Sequence, residues 1–336
     1  MLRIVPVTGQ LLRKLCNYFP SMADFFWSVV PPLTLLGYYH RRITGKFASW
    51  QTCGFFCAGL LVGMVALAVG WQIETNLLRW SYWQNLMSTF GGVVIRQLLV
   101  VAPIEELGKF IGFAIPIYFL QQRRSSGSMT AAGIFLLAVA LSLGFTCHES
   151  WVFLLHGNSS IFERLISTPV HAMFVVPWVY VVATVGFRVN KSQIVLAWGD
   201  CVLCHAGVNI CAIASGFNVP VRYLSYCLFP FLLYLFWRME RCLKLVEGRK
   251  VKYLLKYFPP SHRYWRFGLI IFALALGGNA CLGLFITIQT ILPLPINRIW
   301  EYSTLTLLIG RILYNIAFGL VGWVIYIYLL TTARHQ

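Results

Sequence analysis

Apolar residues run through this chain in long blocks separated by short basic connections. The blocks do not alternate in twos, as a half-buried strand would. A helix needs about 20 apolar residues to cross a bilayer. Nine segments approach that length, at residues 23–39, 51–73, 93–120, 129–156, 168–188, 193–214, 221–237, 267–291 and 304–330. In hydrocarbon each backbone amide must be satisfied within its own segment, so these read as helices. The pattern predicts an all-α, polytopic integral membrane helical bundle of about eight to nine transmembrane helices. The first segment is short and holds Pro31-Pro32, which marks it for a broken or re-entrant path.

Composition agrees with lipid as the solvent. Hydrophobic residues make up 59% and charged residues 11%, where soluble domains carry about 25% charged residues. The formal net charge of +17 comes from 27 Lys+Arg against 10 Asp+Glu. The connections after the odd-numbered segments hold Arg41, Arg42 and Lys46; Arg123 and Arg124; Arg188 and Lys191; a run from Arg238 to Arg266; and Arg334. Those after the even-numbered segments hold far fewer, namely Arg79, Arg164, Arg222 and Arg298. The first set is therefore expected on the cytoplasmic side. Arg3, Arg13 and Lys14 would then lie outside if the first segment crosses, a second reason to suspect that segment. This distribution accounts for the basic charge, and nucleic acid is not an expected partner; the lipid bilayer is. The ten cysteines are scattered through apolar runs and do not form a disulfide framework. No cleavable signal peptide is expected, because no small-residue cleavage site follows the first basic residues.

Three parts follow from this organisation: N-terminal membrane segments over 1–92, a core of four transmembrane helices over 93–214, and C-terminal membrane segments over 215–336. The last part contains a basic cytoplasmic loop at 238–266. That loop reads as a topology determinant rather than as an amphipathic surface helix.

Ionisable residues inside the apolar segments carry the chemistry. A carboxylate at mid-bilayer costs about 2.5–3.5 kcal/mol on insertion scales, so such groups pair or line a wet cavity. The third segment holds Glu105 and Glu106, with Lys109 at i+4 and i+3 from them. Lysine at that spacing holds one carboxylate ionised and leaves the other to take a different role. The fourth segment holds Glu149, the fifth begins with His171 after Arg164, and the sixth holds His205 and Asn209 on one face. Counted from the outer helix ends, His171 lies roughly 5 Å deep, Glu149 roughly 10 Å, His205 roughly 14 Å and the glutamate pair roughly 15–20 Å. One wet cavity opening outward accommodates all of them.

At these residues the chain resembles the PrsW family of intramembrane proteases. The resemblance rests on Glu105-Glu106-x-x-Lys109, on Gly144-Phe145 leading to Glu149, on His171 after Arg164, and on His205-x-x-x-Asn209. It covers about residues 93–214. It extends to the CAAX prenyl endopeptidases and bacteriocin-processing proteins, which share the double-glutamate and histidine logic. Ser150 stands where the family often has asparagine. The resemblance implies hydrolysis of a peptide bond in a membrane-anchored protein near the extracytoplasmic face, with an anti-sigma-factor-like protein as the kind of substrate.

Peptide hydrolysis needs an activated water, an oxyanion stabiliser and a proton for the leaving amine. Glu105 or Glu106 is the expected general base, His171 or His205 orients the water or relays a proton, and Asn209 donates to the oxyanion. Glu149 pairs with a histidine, while Lys109 and Arg164 support the carboxylates. The rival mechanism places zinc on Glu106, Glu149, His171 and His205. The chain has no helical His-Glu-x-x-His pair, so the metal-free mechanism is preferred at this point and the cofactor is either none or zinc. Cys201-x-x-Cys204-His205 fits the c-type haem pattern but lies inside an apolar span. Asn158-Ser159-Ser160 matches a glycosylation acceptor. The alternative functions are a proton- or ion-coupled transporter and a catalytically inactive membrane scaffold.

Overall fold

The structure is a computed structural model that describes residues 22–44, 50–123, 129–185, 191–249, 254 and 260–332. Among the described residues the regular structure is entirely helical. The helices are α1 Met22–Thr44, α2 Trp50–Leu77, α3 Ser81–Met87, α4 Phe90–Arg96, α5 Ala102–Arg123, α6 Ala131–Leu155, α7 Ile161–Ser167, α8 Val170–Phe174, α9 Val176–Val185, α10 Lys191–Ala214, α11 Leu228–Val246, α12 Pro260–Ile291, α13 Ile296–Ile299 and α14 Tyr302–Thr332. A π-helical turn, Gln97–Val101, joins α4 to α5, and a 3-10 segment, Val221–Cys227, precedes α11. Each of the nine expected segments is helical over most of its described residues. Six stretches are long and apolar enough to cross a membrane: Trp50–Leu77, Ala131–Leu155, Ile161–Val185, Ser192–Ala214, Arg263–Ile291 and Tyr302–Thr332. Charge falls on the remaining three, including Arg41 and Arg42 on α1, Glu105, Glu106 and Lys109 on α5, and Arg238, Glu240 and Arg241 on α11.

Two expectations are corrected. The first segment is not broken: α1 runs continuously through Pro31 and Pro32. Proline is tolerated within membrane helices where neighbouring elements compensate for the lost bond, and α1 packs along α6. The basic stretch is not all loop either, since α11 carries Arg238, Arg241 and Lys244 in helical conformation to Val246. Its apolar face holds it there, with Met239 and Leu243 fully buried. Lys46, Arg124, Arg188, Lys250, Lys252, Lys256 and Arg334 lie outside the described residues.

The chain divides into two compact units, one of Met1–Ile210 and Met239–Arg249, the other of Cys211–Arg238 and Lys250–Gln336. In the first unit α6 is the central element. Apolar on all sides, it is buried from Ile134 through His148, as such a helix must be. Packed around it are α1, α2, α5, α8 and α9. Glycine allows α2 and α6 to meet backbone to backbone: a methyl at Gly59 would overlap the Leu141 carbonyl, and one at Gly144 the Phe56 carbonyl. Arg42 on α1 donates to Glu240 at 2.7 Å, and Tyr39 reaches the Met239 sulfur at 3.7 Å.

The second unit is built on the antiparallel pair α12 and α14. Gly283 lies against the Asn315 side chain, and Gly322 against the Ala273 backbone. Buried Arg266 donates to the carbonyls of Leu254 (2.8 Å) and Leu329 (2.7 Å) and to Thr332 Oγ1 (2.8 Å). Many large apolar side chains of both helices are exposed, including Ile271, Phe272, Leu313 and Val324. That suits a lipid solvent.

Candidate active site

Pro103 sets the local geometry of the glutamate segment. It has no N–H for the carbonyl one turn back, and its ring crowds that carbonyl. The helix widens into the π-turn Gln97–Val101 immediately before α5. Such a turn inserts one residue, about 100° of rotation, between the faces of α4 and α5. Small residues then let α10 approach closely: Ala102 packs with Val202 and Ala206, flanked by Leu98, Trp198 and Ile210. This contact places the His205 and Asn209 face of α10 against Glu106 and Gln97.

Glu106 and Lys109 are fully closed off from solvent. Lys109 Nζ donates to Glu106 Oε1 at 2.7 Å and lies 3.0 Å from His171 Nδ1. It is also 4.0 Å from Glu105 Oε2 and 4.2 Å from the centre of the Phe145 ring. An ammonium only donates, so His171 Nδ1 accepts. The His171 proton therefore sits on Nε2, which donates to Glu149 Oε2 at 2.7 Å. The reverse holds for His205, whose Nδ1 faces Glu106 Oε1 at 2.8 Å. A carboxylate only accepts, so Nδ1 carries the proton of the neutral ring. His205 Nε2 then keeps a lone pair, 3.7 Å from Glu105 Oε2. Phe174 stacks on His205 with ring centres 4.5 Å apart, which fixes the imidazole plane.

The segment after α6 turns sharply at Ser160, which caps α7 reciprocally with Glu163. That turn brings Arg164 back over the end of α6. Arg164 Nη2 donates to Glu149 Oε2 at 2.7 Å and Nε to Ser150 Oγ at 3.1 Å. The serine at the family's asparagine position thus serves as an acceptor for this arginine. Pro169 stands at the N-cap position of α8, the short helix that carries His171.

Seven of the residues singled out from the sequence meet in this network: Glu105, Glu106, Lys109, Glu149, Arg164, His171 and His205. Asn209 is placed differently, and its Nδ2 donates to Gln97 Oε1 at 3.0 Å. Gln97 and Phe174 were not singled out. Gln97 had one signal, a polar residue in an apolar run shortly before a proline. The haem motif places its thiols elsewhere: Cys201 Sγ turns to the Ala197 carbonyl and Cys204 Sγ to Asp200.

The donor set suits a divalent cation. Ligand atoms of Glu105, His171 and His205 all lie within 4.8 Å of one another, a different group from the four expected. Glu105 Oε2 and Glu106 Oε2 are buried without a hydrogen-bond partner. Formally, three carboxylates face two cations, leaving one negative charge uncompensated. Glu106 on His205 Nδ1 is the carboxylate–imidazole arrangement that orients metal-ligating histidines.

A family model described as PrsW family intramembrane metalloprotease matches residues 48–235, more than half of the chain. The matched region contains the whole network and α2 as well. No curated protein and no solved structure matches the chain. A membrane-spanning helical architecture, a buried glutamate–histidine network and this match lead to one assignment: the chain belongs to the PrsW family of intramembrane metalloproteases, and it is a multi-pass intramembrane endopeptidase.

Proposed function

We propose that Glu105, His171 and His205 form the hydrolytic centre and hold zinc. The substrate is a membrane-anchored protein of the anti-sigma-factor-like kind, cut near the extracytoplasmic face. The observation that carries this reading is the convergence of three ligand atoms within 4.8 Å, among them the glutamate group whose Oε2 is buried with no hydrogen-bond partner. Two histidine nitrogens and one glutamate oxygen would hold zinc and leave room for water or substrate. When bound there, zinc supplies Lewis acidity and lowers the pKa of water into the neutral range.

The protein's own groups do the rest. Glu106 Oε1 is held by Lys109 and His205, so its partnerless Oε2 takes the proton from the attacking water. Glu106 also fixes the His205 tautomer. His171 has partners on both nitrogens, so ligation requires that Lys109 or Glu149 yield. Arg164 holds Glu149 in place beside it. Asn209 donates to the oxyanion as the carbonyl becomes tetrahedral.

Two measurements test the reading. Purified wild-type protein is expected to carry one zinc per chain, and Glu105→Ala and His205→Ala to lose it. Membrane proteomics comparing wild type with Glu106→Gln is expected to reveal a protein shortened only in wild type, while the variant keeps its zinc. Cleavage by Glu106→Gln at the wild-type rate overturns the base assignment. Full activity after stringent chelation, with no metal in the protein, assigns the chemistry to glutamate-activated water alone.

A further inference from the structure

We propose that Gln97 is a positioning residue for proteolysis. It holds the Asn209 side-chain amide so that the second N–H of that amide reaches the substrate oxyanion. The inference rests on the oxyanion role given to Asn209 above.

Asn209 lies one turn beyond His205 on the same face of α10. Its Nδ2 carries two hydrogens, and the 3.0 Å bond to Gln97 Oε1 uses one of them. That bond fixes the plane of the amide, and hence the direction of the other N–H. The Asn209 side chain makes no other hydrogen bond among the described residues. A single bond therefore decides where its free donor points.

Gln97 is suited to this task by position. It is 3% exposed, and an uncharged amide buried in an apolar span is costly unless hydrogen-bonded. It opens the π-turn, whose extra residue rotates α4 relative to the Glu105–Glu106 face. In an unbroken α-helix the Gln97 side chain would face about 100° away from its present direction relative to Glu106. About 100° round the helix from Gln97, Arg96 at the end of α4 donates to Glu74 at 2.7 Å and pins that rotation. The local distortion and the Arg96 anchor together bring one acceptor to one catalytic amide.

The test is a double-mutant cycle with steady-state kinetics. The probe is a fluorescently tagged single-span reporter carrying the span whose cleavage is lost in Glu106→Gln membranes. Asn209→Ala is expected to lower kcat about 100-fold with KM unchanged, the loss typical of an oxyanion donor. Gln97→Met is expected to lower kcat at least about 10-fold, again with KM unchanged, and to add nothing in the Asn209→Ala background. Gln97→Glu retains the acceptor and is expected to stay within about threefold of wild type. Multiplying effects in the double variant, or wild-type kcat for Gln97→Met, overturns the proposal. A Gln97→Glu variant as slow as Gln97→Met does so too. If Gln97→Met fails to fold, Gln97→Asn, whose acceptor is withdrawn by one methylene, replaces it. Wild-type kcat for Asn209→Ala sinks the oxyanion role itself, and Gln97 with it. A slow Asn209→Ala beside an unimpaired Gln97→Met sinks Gln97 alone.

Discussion

At Lys109 a full positive charge is closed off from water among Glu105, Glu106, His171 and the face of Phe145. Removing it leaves Glu106 buried with only His205 as partner. Breaking a buried ion pair from one side typically costs about 3–5 kcal/mol. Lys109→Met is therefore expected to lower the thermal midpoint in detergent strongly and to abolish cleavage. A variant as stable as wild type would show that Lys109 does not neutralise Glu106. Residues of this kind were legible in the sequence because a charge in an apolar run is expensive and needs a reason. Gln97 was not, because an uncharged amide in a helix is common, and only the π-turn aims it at α10. That Glu105, rather than Glu106 or Glu149, groups with the two histidines was equally hidden: the spacing on α5 places Glu105 and Glu106 about 100° apart, and only the position of His205 distinguishes them.

Among the elements, the nine helical segments were readable from apolar length alone. Their interruptions were less so. Pro169 and Pro177 flank the short helix that presents His171, yet Pro31 and Pro32 leave α1 continuous. Proline reports a missing donor, and whether the helix yields depends on what packs beside it. Pro103 is the informative case. Pro103→Ala restores the N–H and removes the cause of the π-turn, so thermal stability is expected to hold or rise. Cleavage is expected to fall at least about 10-fold as α4 rotates away from α10, since small misplacements of catalytic groups are costly. Full activity in that variant would mean that the turn does not depend on the proline. The α2–α6 crossing gives a second expectation. Gly144→Ala forces two backbones apart, at about 1–3 kcal/mol for such overpacking. Gly70→Ala on α2, which meets open space, is expected to change nothing. Equal thermal midpoints for the two variants would refute the contact.

For the molecule as a whole, the charge pattern makes a statement about sidedness that geometry alone does not. An epitope inserted after Ser159, beside the α7 cap, is expected to be reached by antibody on intact cells. One inserted after Gly248, past the end of α11, is expected to be reached only after permeabilisation. The opposite pattern would place the hydrolytic centre nearer the cytoplasm and refute an extracytoplasmic cleavage site. Fold class was legible at this scale because lipid leaves a chain few options. The division into two units was not, because it depends on contacts between helices distant in sequence, such as Arg42 with Glu240.

The dispersal of the network over α5, α6, α7, α8 and α10 has a consequence for biosynthesis. The groups emerge from the ribosome in the order Glu105, Glu106, Glu149, His171 and His205, and the last lies 100 residues after the first. Until α10 has been inserted and has docked through Ala206, Glu106 lacks its imidazole and the proposed zinc site lacks His205. A chain stalled before that point is expected to be inert. In the proposed mechanism the site is therefore complete only once α10 has joined α5, α6, α7 and α8.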